Sequence, residues 1–268
     1  MKAEGRSGHV SIIITSEEEW MSSAYFNPNA YPDFLEEILT SCEERLALML
    51  YYAGLIESQM PRDIDDFLDQ LNRLMCTGGL PDVPLIAYYR GMTYIASLHG
   101  ILYSLKSFLD ILGILWASLI VGKRTKLLFN RAKVKGEEIA GGRLINWLRG
   151  TVGSKFQNAS KLASIIEDNS RRWISRVVKY RNDLTHYGEI EGLKHLRVKL
   201  QKGKRRYGYE DILMPEMPDG TPVKDYCKML IKNTCSFVVA GLKLLPDVDM
   251  TLLNLKASFE GREVTNGS

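Results

Sequence analysis

The spacing of apolar residues along the chain predicts a mainly α-helical protein. Apolar positions recur every three or four residues over about 33–56 and again over 63–75, which is the period of an amphipathic helix. Pro61 lies between these segments and predicts a break there. A third helical stretch, about 84–121, is apolar on nearly all sides toward its end, so we expect that end at the centre of the core.

The second half of the chain predicts shorter helices and one β-hairpin. Helices are expected over about 143–149, over 160–187 with Gly188 as the stop, and over 223–245. Residues 193–200 and 206–213 are strand-like and flank a short polar turn, which indicates a hairpin.

The predicted fold is a helical bundle over residues 81–246, with a small β-hairpin at about 193–213 inserted before the last helix. Residues 1–80 contain a strand-like segment at 9–15 and two helices that could belong to the same bundle. Residues 247–268 are expected to form a surface tail.

The charge of the chain is unevenly distributed. Residues 1–122 hold 7 Lys or Arg and 16 Asp or Glu, a net charge of −9, whereas residues 123–268 hold 28 and 16, a net charge of +12. Within 123–206 there are 22 basic and 7 acidic residues. Such a basic segment favours a surface that faces a polyanion. On charge alone, however, a solvated surface balanced by the acidic half is the preferred interpretation.

Several classes of protein are disfavoured by composition and pattern. The longest uninterrupted apolar run, 111–121, is too short to span a bilayer, and three glutamates at 17–19 follow Ile12–Ile14 too closely for a signal peptide. We therefore expect a cytoplasmic protein that does not bind a membrane. The four cysteines and four histidines lack metal-ligand spacing, so we expect buried, reduced thiols and neither metal nor cofactor.

One polar segment interrupts an apolar helix stripe. Stepping by four from the apolar Val177 leads to Arg181, which places a guanidinium on the side of the helix that faces the core. A charge there is costly unless it is paired or faces a cleft or an interface. Asp110, the one acid of the most apolar helix, is the obvious partner. The alternatives are thus a structural Arg181–Asp110 pair and an arginine that lines a functional cleft.

The same segment resembles the motif of the HEPN superfamily. Arg181 is followed directly by Asn182, and His186 lies five residues after the arginine near the end of a helix, as in the Arg-x4-6-His motif. The resemblance covers about 84–245. It implies a dimeric helical bundle, often a metal-independent endoribonuclease of toxin–antitoxin or antiphage systems.

The resemblance also implies roles and partners. An antitoxin is one implied partner, and a nucleotidyltransferase is another. In some members a paired nucleotidyltransferase modifies a tyrosine two residues past the histidine. Here Tyr187 is adjacent to His186, and position 188 is glycine, which departs from that pattern.

The chemistry of the motif residues suits RNA cleavage. His186 can transfer protons, Arg181 offers a fork of donors to phosphate, and Asn182 can orient either the arginine or the phosphate. A homodimer would supply two histidines, one as base and one as acid. Asp110 and Tyr187 are expected to support the site. The predicted RNA-binding residues are basic, namely Lys123, Arg124, Lys126, Arg131, Lys202, Lys204, Arg205 and Arg206, with Tyr207 and Tyr209 available for stacking.

Two other functions remain open at the level of sequence. The first is a non-catalytic module that binds nucleic acid or nucleotides in the same cleft. The second is a protein-interaction subunit whose acidic half contacts a basic partner.

Overall fold

A computed structural model describes residues 8–15, 19–26, 34–77, 85–89, 91–150, 155–202, 207–245 and 248–253. Within these ranges the chain is mainly helical with small antiparallel sheets, which confirms the predicted fold class at that level. The helices are α1 Phe34–Thr77, α2 Met92–Val121, α3 Gly142–Arg149, α4 Ala159–Asn169, α5 Ser175–Tyr187 and α6 Val223–Leu242. The strands are β1 Gly8–Thr15, β2 Glu19–Phe26, β3 Leu85–Tyr89, β4 Ala132–Val134, β5 Glu137–Ile139, β6 Leu196–Lys202, β7 Tyr207–Leu213 and β8 Val248–Leu253.

Helix α2 forms the centre of the core, as its apolar composition predicted. Its segment Thr93–Val121 is long and apolar enough to cross a membrane, yet 61% of its most apolar window is buried inside the protein. Helix α1 packs along α2 in the opposite direction, since Tyr52 meets Gly100 while Ile38 shares a depression with Ile111. Most of this apolar window is therefore covered by other parts of the protein.

Helix α1 continues through Pro61, so the predicted break is wrong. Proline removes one backbone donor and crowds the preceding turn, which costs about 3 kcal/mol or more inside a helix. The buried side of α1 nevertheless runs on across the proline through Ile56, Met60 and Ile64. Apolar burial on both sides of Pro61 offsets the local cost, because both halves of α1 belong to the same core.

The predicted hairpin is confirmed, and it gains a strand that the sequence pattern missed. Strands β6 and β7 pair antiparallel, and β3 pairs with the other edge of β6, where Tyr89 lies opposite Leu196. The segment of β3 was predicted as the start of the α2 helix. Its exposed Ile86 and Tyr88 alternate with half-buried neighbours, which is the period of a strand rather than of a helix.

A second sheet brings the two ends of the chain together. The strand-like segment at 9–15 is confirmed as β1, which pairs with β2, and β2 pairs in turn with β8. Strand β8 lies at 248–253, within the residues predicted to be a surface tail, so that prediction is wrong for this part. The rest of the tail, 254–268, lies outside the described residues.

The predicted helix 160–187 is confirmed, with one irregularity. Helices α4 and α5 are joined by a π-helical turn at Ser170–Ile174, and the chain stays helical from 159 to 187. The helix ends at Gly188, whose φ of 75° is in the left-handed region and whose amide donates to the Leu184 carbonyl. Before this helix, the chain after α2 is irregular over 124–131 and then forms the tight β4–β5 hairpin.

Candidate functional site at the end of helix α5

The side chain of Arg181 lies against α2. Its guanidinium carbon stands 5.1 Å from the centre of the Tyr103 ring, a cation–π arrangement, and its Nη1 donates to Asn182 Oδ1 at 3.2 Å. Thr185 Oγ1 donates to the Arg181 carbonyl at 2.8 Å and also contacts the Tyr103 hydroxyl at 2.7 Å. Because the threonine proton is used on the carbonyl, Tyr103 must donate to Thr185. Tyr103 therefore links α2 to the last turn of α5, and its ring supports the guanidinium of Arg181 by direct contact.

Of the two alternatives for Arg181, the structural pair with Asp110 does not form. Asp110 accepts from Lys106 on its own helix at 2.6 Å through both carboxylate oxygens. In the part of the chain that the structure describes, no carboxylate lies within ion-pair distance of Arg181, and its Nε is buried without a hydrogen-bond partner. Residues four apart on one helix face each other, so Lys106 compensates Asp110 without help from α5. Arg181 is left as a cation without an anionic partner among the described residues.

His186 lies at the surface in the last turn of α5. Its ring contacts the ring of Tyr187 edge-on at 6.3 Å between centres, and Tyr187 is 79% exposed. Five residues of helix turn the side chains of Arg181 and His186 about 140° apart. The motif residues thus share one helix end, but a single chain does not bring the imidazole onto the guanidinium.

Asp183 lies between Arg181 and His186 in sequence, and its buried carboxylate is paired within α5. Lys179 donates to its carboxylate at 2.7 Å, and this hydrogen bond raises the pKa of Lys179 above its ordinary value. The acid nearest to the motif is therefore already paired within α5, and it leaves the charge of Arg181 uncompensated.

The predicted RNA-binding residues fall into two groups, only one of which is described. Lys123, Lys126 and Arg131 are exposed on the connector after α2, but Arg124 donates to both carboxylate oxygens of Glu37 at 3.0 and 3.2 Å. The other group belongs to the β6–β7 hairpin: the Lys202 side chain and the whole of Lys204, Arg205 and Arg206 lie outside the described residues, as does the side chain of Tyr207.

Arg124 and the described part of the hairpin contact opposite ends of α1. Arg124 is attached to Glu37 near the start of α1, whereas the hydroxyl of Tyr209, on the hairpin, donates to the Leu68 carbonyl near its end. The 31 residues between Glu37 and Leu68 correspond to about 45 Å of helix. Arg124 and Tyr209 therefore do not belong to one surface, and Tyr209 is partly committed to α1 rather than fully available for stacking.

A charge cluster that the apolar pattern did not predict surrounds Glu167 of α4. This carboxylate is buried and is approached by Arg149 at 2.6 Å, Arg171 at 3.2 Å and Lys135 at 3.3 Å. The hydrogen bond from Arg149 lowers the pKa of Glu167, and Lys135 adds to this effect against the opposing influence of burial. The cluster ties α3 and the β4–β5 turn to α4. The sequence indicates the cluster only through the position of Glu167. This acid follows the buried Ala163 by one helical turn and therefore lies on the same side of α4.

His195 also has a partner that the sequence did not reveal. Its Nδ1 lies 2.6 Å from the hydroxyl of the fully buried Tyr94, at the start of α2. The contact holds the imidazole in one orientation at the edge of the β3–β6–β7 sheet.

All four cysteines are free thiols, and three of them have the predicted burial. Cys42, Cys227 and Cys235 are buried, and burial raises the pKa of Cys42 and Cys227 to about 12, so both stay protonated near neutrality. Cys76 is exposed, which contradicts its predicted burial. Across the described residues, no group of three or more His, Cys, Asp or Glu side chains is arranged to hold a metal ion.

No protein-family model, curated protein or solved structure matches the chain. The function of the site is therefore inferred from its own residues and geometry.

Proposed function

We propose that the protein is a metal-independent endoribonuclease of HEPN type, with Arg181, Asn182 and His186 as its active-site residues. The observation that carries this proposal is the guanidinium of Arg181, which is half-buried, supported by Tyr103 and unpaired with any described carboxylate. A cation in such a position gains most from an anionic ligand that brings its own charge and acceptors. A phosphodiester provides both.

The reaction that suits these residues is attack of an RNA 2′-hydroxyl on its own phosphate. A base takes the hydroxyl proton, the oxygen bonds to phosphorus, and an acid protonates the departing 5′-oxygen, which leaves a 2′,3′-cyclic phosphate and a 5′-hydroxyl. His186, exposed in the last helical turn, can exchange protons with substrate. Arg181 stabilises the developing charge on the phosphate oxygens, and Asn182 holds the guanidinium by accepting from Nη1.

A homodimer completes this site. Within one chain the side chains of Arg181 and His186 diverge, so one phosphate cannot easily meet both. A two-fold axis near the end of α5 would place each His186 opposite the motif of its partner, supplying one base and one acid. The setting we propose is a cytoplasmic toxin–antitoxin or antiphage system, with RNA as substrate and an antitoxin or nucleotidyltransferase as regulator.

The divergence of the Arg181 and His186 side chains within one chain favours one alternative function. If the two motifs do not meet in a dimer, Arg181 and the neighbouring tyrosines would form a non-catalytic site for nucleic acid or nucleotides. The alternative retains the unpaired cation and assigns no chemistry to His186.

Incubation of the purified protein with total RNA in the presence of EDTA separates the two functions. The proposal expects cleavage that leaves 2′,3′-cyclic phosphate ends and is lost in His186→Ala, whereas retention of intact RNA supports the binding module. Light scattering at micromolar concentration tests the dimer. Mixing Arg181→Ala chains with His186→Ala chains tests the shared site, because a composite site predicts heterodimers whose activity differs from that of either inactive homodimer.

A further inference from the structure

Helix α3 runs alongside strand β4 in the same direction. At the start of α3, the backbone amide of Arg143 donates to the Asn130 carbonyl, just before β4, at 3.3 Å. Three residues further along α3, the side-chain amide of Asn146 donates to the Lys133 carbonyl within β4 at 3.0 Å. These two contacts hold the helix beside the strand.

This arrangement collects cations that are separated in sequence. Arg143 and Arg149 lie six residues, or about 9 Å, apart on the exposed side of α3, with Asn146 between them at helical spacing. The segment 131–135 and the π-helical turn contribute four more cations to the same region. The resulting α3 basic surface has six exposed cations, namely Arg131, Lys133, Lys135, Arg143, Arg149 and Arg171.

One end of the α3 basic surface is partly compensated. Three of its cations converge on the buried carboxylate of Glu167, namely Lys135, Arg149 and Arg171. Arg171 also pairs with Glu137. Three cations therefore face two carboxylates, and the side chain of Lys135 stays 70% exposed. A positive charge remains at this end.

The other end of the surface is not compensated by ion pairs. Three cations have none among the described residues, namely Arg131, Lys133 and Arg143. Glu138 lies directly opposite Lys133 in the β4–β5 register but forms no ion pair with it. With Glu138 included, the surface holds six cations and three carboxylates, a net charge of +3. The exposed neighbours Asp168 and Arg172 carry opposite charges and leave this excess unchanged.

The chemistry of this surface matches a polyanion better than a protein partner. Over residues 131–149 no exposed side chain is apolar, and the large, half-buried Trp147 packs against the core. Protein interfaces centre on apolar and aromatic side chains that become buried. A phosphate backbone instead binds to rows of Lys and Arg, which replace its counterions, and guanidinium groups fit its oxygens at two points.

We infer that the α3 basic surface binds the phosphate backbone of RNA, away from the bond that is cut. The inference rests on the proposed function for the identity of the polyanion. Arg171 precedes Arg181 by ten residues on the continuous helical segment 159–187, a distance of about 15 Å along its axis. Of the RNA-binding residues expected from the sequence, only Arg131 belongs to this surface.

Binding of an uncleavable RNA tests the surface without catalysis. The probe is a fluorescent 2′-O-methyl oligouridine of about 20 nucleotides, measured between about 50 and 200 mM KCl. The variant combines Arg131→Gln, Lys133→Gln and Arg143→Gln, which removes the cations that have no described ion pair. We expect it to bind about tenfold more weakly at about 0.1 M salt, and the slope of log affinity against log salt should fall in magnitude by about 2.

The matched control removes the same amount of charge elsewhere. Arg62, Lys232 and Lys243 are exposed on or next to α1 and α6, and each lacks a described ion pair. The combination of Arg62→Gln, Lys232→Gln and Lys243→Gln should keep an affinity and a salt slope close to those of the parent. Equal losses in the two triple variants would show that only the net charge matters, which overturns the surface.

Glu138→Gln gives the sharper result because its expected effect has the opposite sign. Removal of the carboxylate opposite Lys133 should strengthen RNA binding about threefold, a gain that misfolding cannot produce. Glu44→Gln, at an exposed acid of α1, is the matched control and should bind like the parent. Weaker or unchanged binding by Glu138→Gln would contradict the inference. A polyglutamate peptide that displaces the probe as well as unlabelled RNA does would also overturn it, since the partner would then be an acidic protein.

The outcomes separate this inference from the proposed nuclease. Loss of RNA affinity in the first triple variant, without any cleavage of unmodified RNA by the parent, supports the surface and refutes the enzyme. Metal-independent cleavage by the parent, with equal RNA affinity in the parent and this variant, supports the enzyme and refutes the surface.

Discussion

Glu167 and Arg181 lie on one continuous helical segment, but of the two only Glu167 is paired with described side chains of opposite charge. Glu167 is buried and is approached by cations from α3, from the β4–β5 turn and from its own segment. Arg181, about 21 Å further along at helical rise, is half-buried on an aromatic ring without a described carboxylate beside it. The comparison teaches that a charge compensated inside the protein holds elements together, whereas an uncompensated one remains available to a ligand.

The π-helical turn between the two residues separates these roles. A π turn closes hydrogen bonds over one residue more than an α turn, so it changes the phase of the buried face, and such turns are frequent near functional sites. Before it, α4 faces α3 and α6; after it, α5 faces α2. Glu167 thereby meets the basic residues of its neighbours, and Arg181 meets Tyr103.

The largest expected effect is on catalysis by Arg181 and His186 at the end of α5. Loss of the proton-transfer group in His186→Ala, or of the phosphate donor in Arg181→Ala, should lower the RNA cleavage rate by about 1000-fold. Cleavage rates in EDTA measure this, with Tyr51→Phe, 61% exposed on α1 away from the motif, as a control that should keep the parent activity. Parent-like cleavage by His186→Ala would show that the imidazole takes no part in the chemistry.

The second prediction concerns the stability of the fold rather than catalysis. Glu167→Ala should lower the free energy of unfolding by about 2 kcal/mol, because charge-assisted hydrogen bonds from Arg149 and Arg171 are lost. Urea denaturation measures the change, and Asp168→Ala removes an adjacent exposed acid as the control. Arg181→Ala should change stability much less, since Asp110 keeps its own partner Lys106. Equal destabilisation by Glu167→Ala and Arg181→Ala would remove the distinction between the two charges.

The third prediction concerns how pH changes the stabilisation that Glu167 contributes. The pKa of Glu167 is lower in the folded protein than in the unfolded chain, where it is about 4.3. A carboxyl of this kind stabilises the fold above the unfolded value, and its contribution disappears as pH falls through the lower folded value. The stability difference between the parent and Glu167→Ala should therefore be full near pH 7 and shrink below about pH 4. A difference that stays constant from pH 7 to pH 3 would contradict the assignment of this charge.

The smallest expected effect is on the support beneath Arg181. Tyr103→Phe keeps the ring under the guanidinium and removes the hydrogen bond to Thr185, so cleavage should fall only about threefold. Tyr103→Leu also removes the cation–π contact and should cost about threefold more. Because Tyr103 is partly exposed, both variants should unfold at nearly the parent temperature. A larger loss in the phenylalanine variant than in the leucine variant would mean that the ring does not support the arginine.

The pattern of apolar residues was a good guide where structure depends on neighbours in sequence. The helical character of α2, α4–α5 and α6, the stop at Gly188 and the β6–β7 hairpin all follow from local periodicity and turn residues. The pattern failed at Pro61, where core packing outweighs a local break, and at β3 and β8, whose pairing partners are distant in sequence. A strand of five or six residues gains its backbone hydrogen bonds from another segment, so its own residues indicate it only weakly.

The sequence by itself determined a mainly helical protein with a basic middle segment and an Arg181–His186 motif at a helix end, because periodicity, charge count and motif spacing are local properties. Only the tertiary structure decided which charges are compensated across elements: Arg124 by Glu37, and Glu167 by a cluster from three elements. It also placed Arg124 and Tyr209 near opposite ends of α1 and brought Tyr88 and Glu189 to one depression. Such pairings depend on which helices and strands pack together, and electrostatic interactions act only over the short distances that packing creates.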